Sequence, residues 1–187
     1  EDLEKLNSDI MSAYHIDDEK YAHVDVKRGL RNSDGTGVII GVTGVGSVQG
    51  YTVVDGERIP MPGKLYYRGI NSTDIVEANL KAGTFGYEEA VYLLLLGELP
   101  NKTQFDSFKA LLAQARNLPV GFTEDVIFKA PAYNLMNQLA RSVLALYSYD
   151  PSPDDTSAAN MLRQSVEIVA RMPLIVANAY AVMRHYL

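Results

Sequence analysis

Three cationic residues close together stand out first. Lys27-Arg28, with Arg31 close behind, sits among glycines. A guanidinium presents planar, paired N–H donors, so such a group can grip a phosphate. The other reading is a solvated surface charge, and the residues alone leave both open. Three runs of carboxylates follow: Asp17-Asp18-Glu19, Glu88-Glu89 and Asp154-Asp155. Paired carboxylates can divide acid and base roles. Each run, however, stands where a helix is expected to begin, and there it complements the positive end of the helix dipole. His15, His23 and His185 are far apart in the chain and read as surface or boundary residues. Cysteine is absent, so there is no thiolate nucleophile, disulfide, zinc knuckle or iron–sulfur ligand, and no metal site is expected.

The glycines raise a nucleotide-binding reading. Gly35-x-Gly37 and Gly44-x-Gly46 are present, but the third glycine falls at Gly41 or Gly50, one place too late for G-x-G-x-x-G. No G-x-x-x-x-G-K-[ST] occurs. Glycine-rich turns in a small β-meander explain the cluster better. Two sequons, Asn71-Ser-Thr and Asn101-Lys-Thr, carry little weight without a secretion signal.

These residues are carried on 187 residues of 20.6 kDa, a length suited to one domain or somewhat more. Apolar residues make up 47% and charged ones 21%, ordinary for a folded globular chain and unlike a disordered one. The net charge of −6 argues against nucleic acid as a partner. No basic segment precedes an apolar run, and the most apolar stretch, Met172 to Met183, is shorter than the ~20 residues that span a bilayer. The expectation is a cytoplasmic protein with no membrane partner.

Periodicity supplies the elements. Leu3, Leu6, Ile10, Met11 and Tyr14 fall at helical spacing, and a second short helix is expected after Asp17-Asp18. Thr52-Val53-Val54 and Glu57-Arg58-Ile59 flank Asp55-Gly56, the signature of a type I′ hairpin. Leu65-Tyr66-Tyr67 is expected to add a third strand, giving a meander over 51–67. Helices follow from Ser72 or Asp74 to Ala82, from Tyr87 to Leu96, and from Asn101 or Thr103 through Ala115. Thr123-Glu124-Asp125 opens a short helical turn. A helix is expected over Tyr133–Ser148, another from the cap Ser152 to Arg171, and a last one from Pro173 to the end. The fold class expected is all-α with a small antiparallel β-meander. Its organisation is a polar helical segment over 1–26, the meander, and a helical core over 72–187.

The order of segments resembles one known family. Lys64-Leu65-Tyr66-Tyr67-Arg68-Gly69-Ile70 is similar to the "YRG" segment of citrate synthases. The run Tyr87-Glu88-Glu89-Ala90-Val91-Tyr92-Leu93-Leu94-Leu95-Leu96-Gly97-Glu98-Leu99-Pro100 is similar to that family's "fEEvayLLlyGeLP". Ala130-Pro131 and the helix after it resemble "hPMdvLrtavs". Ala170-Arg171-Met172-Pro173-Leu174-Ile175-Val176-Ala177 resembles "A(K/R)lPtiaA". No motif is decisive alone; the series from about Lys27 to Leu187, in order and at the family's spacing, is quite specific.

The resemblance implies a helical homodimer that condenses acetyl-CoA with oxaloacetate, with no cofactor beyond the acyl-CoA substrate. In the family an aspartate takes the methyl proton, histidines stabilise the enol and protonate the carbonyl, and arginines hold the carboxylates. All of these lie downstream of the matching segments, so no catalytic residue is expected here. The chain is expected to be the N-terminal part of the large domain, inactive alone. Arg28 matches an arginine that in some relatives contacts a CoA phosphate, and it is the one binding residue the resemblance assigns. Two positions depart: Ala130 replaces the histidine of the "hP" segment, and no arginine stands near Asp154 where some relatives have one. The 2-methylcitrate synthases share this pattern. A non-catalytic helical assembly module also remains open, as more distantly does a nucleotide-binding module built on the glycines.

Overall fold

The computed structural model describes residues 2–14, 16–20, 22 and 43–186. His15, His23, Lys27, Arg28, Arg31 and the glycines from Gly29 to Gly41 lie outside them. The chain forms two compact units, Ser8–Asn101 and Lys102–Leu187 with Glu1–Asn7. Helices dominate, joined by a three-stranded antiparallel sheet.

The first helix, α1 (Asp2–Ala13), is where the spacing of its apolar residues places it. The second short helix is reduced to a 3-10 turn, Asp18–Lys20. In the Ser8–Asn101 unit the sheet is larger than its sequence signal. Strands β1 (Gly46–Val54) and β2 (Glu57–Tyr67) are joined by Asp55-Gly56, both at positive φ, 52° and 82°, as a type I′ turn needs. The register slips between Gln49 and Tyr51, where β2 accommodates extra residues around Pro62 and Gly63. Glycines 46, 50 and 63, which read as turns, lie inside strands. Leu65-Tyr66-Tyr67 is the end of β2 and not a separate strand. The chain reverses at Arg68-Gly69, again with two positive φ values, and β3 is Ile70–Asn71. The meander therefore covers 46–71 instead of 51–67.

Helix α2 (Ser72–Ala82) is capped by Asn71, whose side chain accepts from the Thr73 N–H, in place of Ser72 or Asp74. Gly83 ends it in the left-handed region, and Gly97 does the same for α3 (Tyr87–Leu96). The all-round apolar end of α3 is buried at Tyr92, Leu93 and Leu96. The arginine of the "YRG" segment holds this unit together. Arg68 donates from Nε and Nη2 to the Leu94 carbonyl (3.3 and 3.1 Å) and from Nη1 to Ala13 (3.2 Å), and it stacks over Tyr14 at 4.5 Å. A cation thus closes the carbonyl ends of α1 and α3, where the dipole is negative.

In the Lys102–Leu187 unit, α4 (Lys102–Ala115) buries Phe108 and Leu112, members of its expected apolar face. The turn at Thr123 is π-helical, Thr123–Phe128. Helix α5 (Leu135–Leu146) starts two residues later than expected because Asn134 caps it, accepting from the Asn137 N–H at 3.0 Å; a 3-10 turn, Tyr147–Tyr149, follows.

Two expectations fail in the last third. Ser152 does not cap a helix: its N–H is held by Asp150 (2.8 Å), and Asp155 turns back on the Ser157 N–H (2.9 Å). Such short polar side chains compete with helix. Ser157 is the cap, accepting from the Asn160 N–H, and α6 runs Ala158–Tyr186. Nor does Pro173 start a new helix; it lies inside α6. Proline lacks the N–H of the helical ladder and costs about 3 kcal/mol in a helix interior. Burial outweighs that. Leu162, Val166, Ala170, Ile175, Ala179 and Val182 form one buried line along α6 across the proline. Ile175, Ala179 and Val182, beyond the proline, pack with Phe122, Ile127 and Leu146. As one helix, Ala158–His185 is long and apolar enough to cross a membrane by length and composition, unlike the shorter stretch read from sequence. Its apolar line faces the unit's own core.

Candidate functional site

A local accident of chain order builds the most polar site. Asp150 follows the 3-10 turn after α5, and Asn160, Arg163, Gln164, Glu167 and Arg171 repeat along one side of α6. Spacings of three and four put these on neighbouring turns. Arg163 is the hub. Its Nη2 donates to Asp150 (2.6 Å) and Asn160 (2.7 Å), its Nη1 to Glu167 (2.9 Å) and its Nε to Asn160 (3.0 Å). Arg171 pairs with the other Glu167 oxygen at 3.0 Å and donates from Nε to the Asn117 carbonyl. Gln164 donates to Asp150 (3.1 Å) and to the Pro153 carbonyl.

The network is three-quarters or more buried: Arg163 is 25% exposed, Asp150 12% and Arg171 19%. The Asp150 carboxyl is held below its ordinary range, chiefly by the Ser152 N–H; burial opposes this, and Arg163 and Gln164 add to it. Burial pushes Arg163 toward the neutral form, but its bonds to Asp150 and Glu167 more than offset this and raise its pKa. Every charge here has a partner. Beside it lies a cavity of about 320 Å³, lined by Val143, Leu146, Ile168 and Pro153 with Asp150, Glu167 and Arg171. The arrangement anchors α5 to α6; it leaves no carboxylate free to take a proton.

The sequence candidates are dispersed. Asp17 pairs with Lys20 at 3.1 Å beside the 3-10 turn. Glu88 and Glu89 stand in the first turn of α3 as dipole partners, and Glu89 also accepts from Asn79 at 2.7 Å. Asp154 and Asp155 are not at a helix start: Asp154 accepts from the Tyr147 hydroxyl (2.9 Å), and Asp155 holds Ser157. His185 is exposed in the last turn of α6. Arg28 lies outside the described residues. Among those described, no three His, Asp or Glu residues could hold a metal ion. Sequence reading missed the Arg163 hub, although Arg163, Glu167 and Arg171 at i, i+4, i+8 were its visible signal.

A second feature is apolar. Helix α5 buries Gln138 and Ser142 and turns outward Met136 (73% exposed), Ala140, Leu144 (75%) and, just beyond, Tyr147. The same helix also packs Leu135, Leu139 and Leu146 against the core, so α5 carries apolar residues on its outer side as well as its inner one.

Comparisons with known proteins converge. A family model described as "Citrate synthase, C-terminal domain" matches residues 36–186. The citrate synthase of Saccharolobus solfataricus is 31% identical over 155 residues, 83% of this chain and 35% of that protein. The 2-methylcitrate synthase 1 of Corynebacterium glutamicum is 28% identical over 132 residues, 71% of this chain and 33% of that protein. The crystal structure of citrate synthase from Pyrobaculum aerophilum matches in fold with a TM-score of 0.59 at 24% identity, over 87% of this chain and 41% of that one. The chain spans about a third of the length of these curated relatives.

Proposed function

The chain belongs to the citrate synthase family, and on that premise we propose that it is the N-terminal part of the large helical domain of an enzyme condensing acetyl-CoA with oxaloacetate to citrate and CoA. The match over residues 36–186 carries this reading. In it the chain is scaffold. Condensation needs a base to take the acetyl methyl proton and an acid for the oxaloacetate carbonyl. The one histidine among the described residues is exposed His185, and Asp150, Asp154 and Asp155 are engaged in local bonds. In this reading the polypeptide alone is inactive. A second reading, 2-methylcitrate synthesis from propionyl-CoA, is favoured by the resemblance to the Corynebacterium protein. Comparing the two acyl-CoAs as substrates of the whole enzyme separates the readings.

Arg28 supplies the one substrate contact within this reading, an ion pair with a CoA phosphate. A charge-assisted bond contributes about 1.5–3 kcal/mol, so Arg28→Ala in the whole enzyme weakens CoA binding roughly tenfold or more. Titration calorimetry with CoA measures this; an unchanged affinity would remove Arg28 from the site.

The outward stripe of α5 belongs to the same reading. We propose that it packs against a second copy, forming part of a homodimer interface.

A further inference from the structure

The tip of the hairpin formed by β1 and β2 carries an inference of its own. Asp55 is the one aspartate among the described residues that a glycine follows. Such a pair is chemically reactive, because the nitrogen after the aspartate can close a five-membered ring on its side-chain carboxyl carbon. Other aspartates here are restrained from doing so. Asp150 precedes Pro151, which has no N–H. The N–H after Asp106 lies inside the ladder of α4. Asp125 pairs with Lys129, and Asp155 holds Ser157. At the hairpin tip none of these restraints operates. Residues 51–60 are all exposed. The ladder closes on the pairing of Val54 with Glu57, so the two turn residues stay outside it. Among the described residues neither the Asp55 carboxylate nor the Gly56 N–H has a hydrogen-bond partner. A Cβ built on Gly56 would meet nothing within 4 Å, so the space the carboxyl must cross is open. The turn also opens readily. Asp55 is held at φ 52°, a left-handed conformation that is costly for a residue with a side chain. The ribbon around it is wet on both faces, with Val53 58% exposed and Val54 48%, and such a ribbon is marginal in water.

We propose that Asp55-Gly56 is a spontaneous modification site, at which the aspartate isomerises to isoaspartate through a succinimide. The Gly56 nitrogen attacks the Asp55 side-chain carboxyl carbon. A C–N bond forms, and the carboxyl hydroxyl leaves as water with the Gly56 amide proton. A second water then opens the ring at the main-chain carbonyl. The chain now runs through Cβ and Cγ of residue 55, and the former main-chain carbonyl carbon becomes a free carboxylate. Mass is unchanged, and no oxidant or cofactor takes part. The product adds an atom to the main chain in a turn built for two residues, so the pairing of Val54 with Glu57 loses its register. The new carboxylate is exposed, and its chemistry suits a methyltransferase that esterifies isoaspartyl groups with S-adenosylmethionine.

Peptide mapping tests this on the full chain, incubated for weeks in warm neutral buffer, either folded or unfolded in guanidinium chloride. Chymotrypsin cuts after Tyr51 and separates Asp55 from Asp34-Gly35, a pair outside the described residues. Trypsin puts Asp106 on the peptide 103–109. Isoaspartate is read by methyl transfer with an isoaspartyl methyltransferase and by resistance to a protease that cuts before aspartate. A segment that opens at almost no cost gains little from unfolding, so folding should slow Asp55 less than about tenfold. Asp106, inside α4, should be slowed by more than that, which shows that the chain is folded in the assay. Asp55→Glu, which cannot close a five-membered ring, should lose the signal from the peptide that begins at Thr52. Folding that slows Asp55 about tenfold or more would overturn the proposal, because the turn would then shield the pair. A signal from that peptide surviving Asp55→Glu would overturn it equally.

Discussion

Replacing Arg163 with alanine is expected to lower the unfolding free energy by about 3 kcal/mol, far more than a surface cation costs. The reason is what is left behind. Arg163 satisfies Asp150, Glu167 and the Asn160 side-chain oxygen together, and Asp150 is only 12% exposed. Removing one partner of a buried pair strands the other charge and typically costs about 3–5 kcal/mol; partial exposure here brings the value toward the lower end. Arg163→Lys recovers only part of the loss, since an ammonium cannot present the guanidinium's planar fork to three acceptors.

The loss depends on pH with a definite sign. Asp150 titrates below its ordinary 3.8 in the folded chain, so its contribution is complete above that value and disappears as pH falls through the lowered one. Urea unfolding at about pH 7 and about pH 2 should therefore show a large gap between parent and Arg163→Ala at neutral pH and a smaller one in acid. An equal gap at both pH values would mean that the arginine acts through packing and not through its carboxylate partners.

The second large effect is expected in assembly. Leu144→Glu puts a carboxylate in the middle of the exposed α5 stripe, between Met136 and Tyr147. Because Leu144 is 75% exposed, the fold of the single chain loses little. In a two-fold interface the charge is introduced twice, desolvated and unpaired. A penalty of about 3 kcal/mol raises the dimer dissociation constant roughly a hundredfold. Sedimentation velocity over a concentration series reads this directly, with circular dichroism confirming that the helices persist. A dimer that forms as tightly with Leu144→Glu would place the interface elsewhere.

Turn chemistry and helix ends were the most legible parts of this chain. Asp55-Gly56, Gly83 and Gly97 each demand a left-handed residue at one place, and the structure puts one there. Where short polar side chains compete, sequence reading misplaced the boundary. Ser152 and Asp155 look like a helix start, yet they close local turns and leave the cap to Ser157. Pro173 reads as a break, and only the buried line from Leu162 to Val182, a tertiary fact, shows why the helix runs through it. The polar hub had a visible half, the i, i+4, i+8 run of Arg163, Glu167 and Arg171. Its other half, Asp150, joins through a loop whose path no periodicity encodes. Arg68 is similar: the segment around it is recognisable, but its bonds to Leu94 and Ala13 span long sequence separations.

Under the proposed function this chain is a folded part of a citrate synthase scaffold that does not catalyse the condensation by itself. Thiol release from acetyl-CoA, measured on the purified 187-residue polypeptide with and without oxaloacetate, tests it most directly. The expected rate is that of buffer in both cases. Release that depends on oxaloacetate would contradict the account.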